Sequence, residues 1–216
     1  HLVSASREAI EIANKAYQKQ GGISGISTGL IDLDKKLGGL HSSDLLIIAG
    51  RPSMGKTSLA TNMAFSIANS FKTKENEDGS KTLLNGGIVG FFSLEMSSAQ
   101  LATRILSENS KVPSDKIRKG DLSEQDFRNF IEAAQSLDQC PLYIDDTAAL
   151  SISALAGRAR RLKRMYGLDV LFVDYLQLIR PSTNRDSRVN EISEITQGLK
   201  SIAKELNIPV VALSQL

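Results

Sequence analysis

Residues 44–60, DLLIIAGRPSMGKTSLA, place a glycine-rich loop between an apolar run and an amphipathic segment. The loop runs from Gly50 to Thr57 with the spacing G-x-x-x-x-G-K-T, which is that of the phosphate-binding P-loop. Glycine backbone turns tightly enough to direct successive N–H groups at phosphate oxygens, and the N-terminus of a following helix adds positive potential. The stretch therefore predicts a strand, a nucleotide-phosphate loop and a helix, in that order.

The loop supplies the predicted nucleotide contacts. Lys56 is expected to reach the β- and γ-phosphates, and the Thr57 hydroxyl is expected to ligate Mg²⁺. A glycine turn without a ligand is the alternative, which the flanking strand and helix patterns disfavour. The predicted contacts are Gly50, Arg51, Pro52, Ser53, Met54, Gly55, Lys56, Thr57 and Ser58.

Outward from the loop, strand-like and helix-like segments alternate. Continuous apolar runs occur at Leu45–Ala49, Ile88–Phe92, Leu142–Ile144, Val170–Val173 and Pro209–Leu213. Helical spacing of apolar residues occurs at Lys56–Phe71, Ser97–Leu106, Glu124–Leu137, Ser153–Tyr166 and Val189–Leu206. This alternation predicts an α/β fold, a parallel sheet with helices on both faces. Residues 72–87 carry mixed charges and glycines, and we interpret them as a solvated insertion.

Composition narrows the class of protein. The 216 residues are 41% hydrophobic and 23% charged, as in an ordinary globular domain, and the net charge of +2 neither requires nor excludes nucleic acid. Cys140 is the single cysteine, so an intrachain disulfide and a cysteine metal cluster are excluded. Since no apolar run approaches the roughly 18 residues of a membrane span, we expect no membrane association.

Two acidic residues follow predicted strands. In FVDYLQLIRP, residues 172–181, a buried run delivers Asp174 to the carboxyl edge of the sheet, where nucleotides bind in open α/β folds. We predict that Asp174 is the second magnesium-site residue, through a water or directly; a purely structural acid at the end of a strand is the alternative. Because Tyr175 follows it, a base must come from elsewhere, and Glu95, just past the strand Ile88–Phe92, is the candidate. The alternative for Glu95 is an acid placed near a helix N-terminus by the helix dipole.

Four segments, GRPSMGKT, FFSLEM, VDYLQLI and ALSQ, occur in this order and on these strands. Together they resemble the C-terminal motor domain of the DnaB-type bacterial replicative helicases, and the similarity covers nearly all of residues 22–216. The resemblance implies a RecA-like core that binds ATP with Mg²⁺, with Glu95 as the catalytic glutamate and Gln215 as the sensor of the γ-phosphate. It also implies a ring-shaped homo-hexamer that travels on single-stranded DNA and unwinds duplex at the replication fork, primase and a helicase loader as partners, and the bacterial cytoplasm, at the nucleoid, as location.

The candidate DNA-binding segment is RPSTNRDSRVNE, residues 180–191, with Arg180, Arg185 and Arg188 among small polar residues. Positive charge without interleaved aromatic residues suits the sugar-phosphate backbone more than the bases. In the resembled family the loops here face the channel of the ring. A flexible basic loop without a ligand is the alternative.

Residues 4–19 have a weak helical pattern that Gly21 and Gly22 end. We interpret 1–21 as a linker helix that packs on a neighbouring subunit, with a frayed terminus as the alternative, and 22–216 as a RecA-like ATPase domain truncated at its C-terminal end. In the resembled family an arginine finger and a second DNA loop follow the ALSQ segment. We therefore expect this piece alone to hydrolyse ATP near background. A RecA-type recombinase, or another RecA-fold ATPase without helicase activity, is the alternative function.

Overall fold

A parallel sheet of five strands runs through the part of the chain that the computed structural model describes, namely residues 2, 3, 6, 7, 10, 13, 14, 17, 23–76, 79–181 and 187–216. The strands of this part are β1 (Leu45–Gly50), β2 (Lys72–Glu75), β3 (Lys81–Asn85), β4 (Val89–Ser93), β5 (Leu142–Asp145), β6 (Val170–Asp174) and β7 (Val210–Gln215). The order across the sheet is β1-β7-β6-β4-β5. All five predicted strands are confirmed.

Helices cover both faces of the sheet. In the described residues they are α1 (Ile31–Leu37), α2 (Lys56–Asn69), α3 (Ser98–Ser110), α4 (Ser114–Lys119), α5 (Glu124–Ser136), α6 (Ile152–Tyr166) and α7 (Arg188–Leu206). Successive residues of a strand point to opposite faces, so Val170 and Phe172 pack with α2 and α3 while Leu171 and Val173 pack with α6 and α7. The predicted α/β fold with two covered faces is confirmed.

The pairing of β4 with β6 positions the predicted acidic residues. The two strands are in parallel register, with Phe91 opposite Phe172 and Ser93 opposite Asp174. The rings of Phe91 and Phe172 are almost fully buried and stack with centroids 5.8 Å apart. Because parallel strands end at the same edge of a sheet, residues that follow β4 meet residues at the ends of β1, β6 and β7.

Two capping boxes fix the starts of the helices α3 and α5. The Ser97 hydroxyl accepts from the Gln100 N–H, and the Gln100 side chain accepts from the Ser97 N–H. Ser123 and Asp126 make the same reciprocal pair at α5. Both caps can be recognised in the sequence, as S-x-x-Q and S-x-x-D. In each, the serine and the residue three positions later accept from N–H groups that the first helical turn leaves without a backbone partner.

The segment 72–87 contains an antiparallel hairpin of β2 and β3, which the sequence pattern did not predict. Its exposure was predicted: β2 is exposed throughout, and so are residues 82–85 of β3. A hairpin without a core-facing side shows no alternation of apolar and polar residues, which is the usual signal of a strand. The short helices α1 and α4 were missed because six or seven residues give too little periodicity.

In the N-terminal segment, the described residues Leu2, Val3, Ser6, Arg7, Ile10, Ala13, Asn14 and Tyr17 are helical and exposed. Leu2, Ile10 and Tyr17 expose 79%, 68% and 84% of their surface, so this helix has unburied apolar side chains. Its packing on a neighbouring subunit remains a prediction. Among the described helices, none has the length and apolar character needed to cross a bilayer.

Candidate nucleotide-binding site

A cavity of about 420 Å³ opens at the carboxyl edge of the sheet. Its walls come from the ends of β1, β4, β6 and β7 and from one side of α3. This is where open α/β sheets bind ligands. The lining residues are Pro52, Ser53, Gly55, Lys56, Thr57, Ser58, Glu95, Met96, Arg104, Asp174, Tyr175 and Gln215.

The P-loop connects β1 to the N-terminus of α2. Gly55 has φ 83° and Ser53 has φ 61°, so the chain uses left-handed backbone to turn into the helix. The Lys56 Nζ donates to the Gly50 carbonyl at 2.7 Å and to the Arg51 carbonyl at 2.8 Å. The ammonium group is therefore held over the concavity in which phosphate oxygens would lie.

Three of the predicted loop contacts do not line the cavity. Gly50 and Arg51 act through the carbonyls that hold the Lys56 ammonium. Met54 exposes 75% of its surface to solvent. A side chain at the tip of such a loop points outward, because the backbone N–H groups point inward. Pro52, Ser53, Gly55, Lys56, Thr57 and Ser58 do line the cavity.

Asp174, the last residue of β6, is 1% exposed. Burial raises the pKa of Asp174 above its ordinary value of 3.8, and the charge of Glu95 acts in the same direction. A hydrogen bond from Thr57 and the charges of Arg104 and Lys56 lower this pKa. Among the described residues, the Asp174 Oδ2 has no hydrogen-bond partner although it is buried.

The environment of Asp174 fits a divalent cation. A buried carboxylate oxygen that lacks a donor is expensive, and a cation beside it would remove that cost. Thr57, whose hydroxyl can ligate a cation, lines the same cavity as Asp174. Mg²⁺ favours such a site, with one or two protein oxygens and the remaining positions filled by phosphates and waters. No group of three His, Cys, Asp or Glu residues in the described part forms a separate metal site.

Glu95 lies in the turn between β4 and α3. The Ser93 hydroxyl donates to the Met96 carbonyl at 2.6 Å, and the Leu94 N–H donates to the Asp174 carbonyl at 2.7 Å. These bonds fix the turn against the end of β6 and leave Glu95 exposed at the cavity wall. Since β4 and β6 are neighbouring strands, the structure brings Glu95 and Asp174 to the same cavity.

Arg104 is a cavity residue that the sequence pattern did not reveal. It lies on α3, seven positions after the cap Ser97, so it is about two helical turns further along the same face. The start of α3 is also bonded to the residue that follows β5, because the Ser98 N–H donates to the Asp146 carboxylate at 2.7 Å. A basic residue two helical turns after a capping serine that follows a predicted strand was the sequence feature that could have indicated Arg104.

Gln215 ends β7 and lines the cavity beside the P-loop, with Gly50 as its register partner. The cavity thus joins the P-loop, Glu95, Asp174 and Gln215, which lie far apart in the sequence. The sequence model of the DnaB-like helicase C-terminal domain family matches residues 25–216, which include all of these residues and every strand of the sheet. The chain belongs to this family.

Relatives within the DnaB-like family extend beyond this chain. The chain is 54% identical over 209 residues to the replicative DNA helicase DnaB of Rickettsia typhi, which covers 97% of this chain and 41% of the relative. It is 41% identical over 201 residues to the replicative DNA helicase DnaC of Bacillus subtilis, covering 93% of this chain and 41% of that protein. The chain therefore spans less than half the length of these curated relatives.

Solved structures agree with the RecA-like fold of the DnaB-like family. A chain solved as an ATPase domain superposes with a TM-score of 0.84 at 29% identity, covering 98% of this chain and 70% of that one. A DnaB-like replicative helicase, solved in a study of its interactions with primase, gives a TM-score of 0.81 at 29% identity and covers 97% of this chain and 48% of that one.

The predicted DNA-binding arginines of this DnaB-like domain lie outside the cavity. Arg180 is exposed, and its backbone N–H donates to the Leu150 carbonyl at 2.9 Å. Arg188 begins α7 and donates to the Gln177 carbonyl at 3.1 Å. Arg185 lies outside the described residues. Arg188 therefore contacts the turn that follows β6, whereas Arg180 contacts the segment between β5 and α6.

Proposed function

We propose that this domain is the ATP-driven motor of a replicative DNA helicase, which couples hydrolysis to movement along single-stranded DNA and to unwinding of duplex at the replication fork. The observation that carries the proposal is the convergence of the P-loop, Glu95, Asp174 and Gln215 on one cavity in a DnaB-like domain. The R. typhi and B. subtilis relatives are named replicative DNA helicases, which favours this function over a recombinase or an ATPase without helicase activity.

In this proposal the residues of the cavity divide the chemistry among them. Glu95 accepts the proton of the attacking water, or orients that water, from the side facing the γ-phosphate. Lys56 neutralises charge on the β- and γ-phosphates, and Gln215 reports the presence of the γ-phosphate. Thr57 and Asp174 would hold Mg²⁺, which supplies charge stabilisation to the phosphates when bound.

The proposal extends to the assembly that surrounds the domain. The whole protein forms a homo-hexameric ring in the bacterial cytoplasm, at the nucleoid, and residues 1–21 pack on a neighbouring subunit. Arg180, Arg185 and Arg188 then face single-stranded DNA. One solved neighbour is a DnaB-like replicative helicase studied with primase, which supports primase as a partner here, and a helicase loader completes the set.

The test is the rate of ATP hydrolysis by the full-length gene product, with and without single-stranded DNA, for the wild type and Glu95→Gln. We expect DNA to stimulate the wild type and the substitution to lower turnover by roughly 10²–10⁴-fold, the usual contribution of a general base. Nucleotide affinity is expected to change little, because Gln has nearly the same shape.

Glu75→Gln is the matched control, since Glu75 is exposed on β2 and does not line the cavity. It should leave both rates unchanged. A wild type whose turnover ignores DNA would contradict the helicase proposal. Turnover that survives Glu95→Gln would instead contradict only the assignment of the base.

A further inference from the structure

The side-chain amide of Gln177 is bonded to the end of β7. Gln177 lies in the 3₁₀ turn Leu176–Leu178, directly after β6. Its Nε2 donates to the Gln215 carbonyl at 2.8 Å and to the Ser214 Oγ at 3.0 Å, and its Oε1 accepts from the Gln215 N–H at 3.2 Å. Only one orientation of the Gln177 amide allows all three bonds. In this orientation the amide NH₂ and the amide oxygen of Gln177 bond the C=O and the N–H of Gln215, respectively.

At the end of β7, the Gln177 amide makes the hydrogen bonds that the backbone of a neighbouring strand would otherwise make. In the described residues β6 pairs with β7 only as far as Ala212, whereas β1 continues alongside β7 to the pair Gly50 and Gln215. The backbone of Gln215 is therefore held on one side by the first glycine of the P-loop and on the other by Gln177. Any movement of the Gln215 backbone must therefore move the Gln177 amide or break its bonds.

The backbone of Gln177 contacts the basic segment 180–191. Its backbone carbonyl accepts from the Arg188 Nη2 at 3.1 Å, while the Arg188 Nη1 donates to Glu191 at 3.0 Å. Arg188 belongs to the basic segment 180–191 and is the first residue of α7. The beginning of the loop is fixed differently, by bonds between the backbone of Arg180 and the backbone of Leu150 and Ile152. The end of the loop is thus tied to the turn that holds Gln215.

We infer that Gln177 is a positioning residue that couples the γ-phosphate sensor Gln215 to the DNA-facing loop through Arg188, an inference that rests on the proposed function. Its side chain follows the position of Gln215 and its carbonyl sets the position of Arg188. Coupling between two sites is reciprocal, so ATP must tighten DNA binding by the same factor by which DNA tightens ATP binding. Removing the Gln177 amide should lower this coupling factor while leaving the nucleotide site and the DNA-binding segment in place.

The experiment uses the full-length gene product and Gln177→Met, which keeps the length of the side chain and removes the amide. We measure the affinity for fluorescent single-stranded DNA with a non-hydrolysable ATP analogue and with ADP. The ratio of these affinities, and the stimulation of hydrolysis by DNA, should both fall by roughly fivefold or more. The affinity for ADP should stay within about twofold of the wild type, because Gln215 reads a phosphate that ADP lacks. A residue that only supported the fold would change the melting temperature and the ADP affinity together.

Three further variants sharpen the test. Gln197→Met changes an exposed glutamine of α7 and should leave the ratio unchanged. Gln177→Glu keeps the acceptor for the Gln215 N–H but not the donor; it should also lower the ratio, and it replaces the Met variant if that variant folds poorly. The effects of Gln177→Met and Arg188→Ala on the ratio should not add, because both break the same link.

The outcomes separate the inference from the proposed function. A wild type that binds DNA equally with both nucleotides overturns the proposed function and the inference with it. A wild type with coupling, together with folded Gln177→Met and Gln177→Glu proteins of unchanged ratio, overturns the inference alone.

Discussion

At the scale of single residues, the buried carboxyl of Asp174 has the largest influence on the charge of the candidate nucleotide site. This carboxyl is 1% exposed at the end of β6, one of its oxygens lacks a donor among the described residues, and Glu95 faces the same cavity. Two carboxylates near one cavity repel each other and attract a cation. Lys56 and Arg104 line the same cavity and attract anions. The lining therefore suits a ligand with both charges, such as Mg²⁺ with a nucleotide.

A stability prediction follows from the raised pKa of Asp174. A pKa above 3.8 in the folded state means that the folded protein holds this proton more tightly than the unfolded chain does. The free energy of unfolding therefore falls as the pH rises from 3.8 through the folded-state pKa. Asp174→Asn removes this loss, so its melting temperature should exceed that of the wild type near pH 7. The difference should be a few degrees and should shrink toward about pH 4, since ~1 kcal/mol shifts such a domain by roughly 2–4 °C.

Asp174→Asn should also weaken Mg²⁺-dependent binding of an ATP analogue, measured by fluorescence titration. Asp169→Asn is the matched control: burial also raises the pKa of Asp169, but this residue accepts from the Ile88 N–H at 2.8 Å and does not line the cavity. It should show a pH effect of the same sign without a change in nucleotide binding. Mg²⁺-dependent binding that survives in Asp174→Asn would contradict the metal assignment.

At the scale of elements, the start of α3 controls two sides of the cavity. The helix follows the turn that holds Glu95, and it carries Arg104 two turns later. A helix whose first turn frays would move both residues. The α5 helix has a capping box of the same kind but contributes no residue to the cavity, so the two caps offer a matched comparison.

Ser97→Ala and Ser123→Ala should each lower the free energy of unfolding by about 1 kcal/mol, the usual cost of losing such a cap. Only Ser97→Ala should also weaken nucleotide binding, because only α3 positions Arg104 and the Glu95 turn. Chemical denaturation and titration with a fluorescent ATP analogue measure the two effects. Equal nucleotide affinities in both variants would show that the start of α3 does not control the site.

At the scale of the whole molecule, the proposed ring would bring a neighbouring subunit to the edge of this nucleotide site. An arginine finger from a neighbouring subunit is worth roughly 10³–10⁵-fold in turnover in related phosphate-transfer enzymes. The full-length gene product should therefore hydrolyse ATP orders of magnitude faster than residues 1–216 alone, and native mass spectrometry should show six subunits. Fast turnover by residues 1–216 alone, at a concentration where they are monomeric, would contradict this expectation.

The strands could be predicted from the sequence because a strand of a doubly covered parallel sheet is buried on both faces, and burial leaves a continuous apolar run such as Val170–Val173. The P-loop and the two caps are equally local, since backbone N–H groups are satisfied by residues a few positions away. Glu95 and Asp174 were found because a polar residue after a buried run must lie at the edge of the sheet.

The sequence by itself thus determined the α/β fold, the P-loop and the acidic residues that follow its strands. Only the tertiary structure decided the strand order, which sets Glu95 beside Asp174 and Gln215 beside Gly50. It also decided the places of Arg104 and Gln177, and the pairing of the exposed hairpin. Local patterns record burial and short-range hydrogen bonds, whereas these contacts join residues far apart in the chain and depend on how strands pair and helices pack.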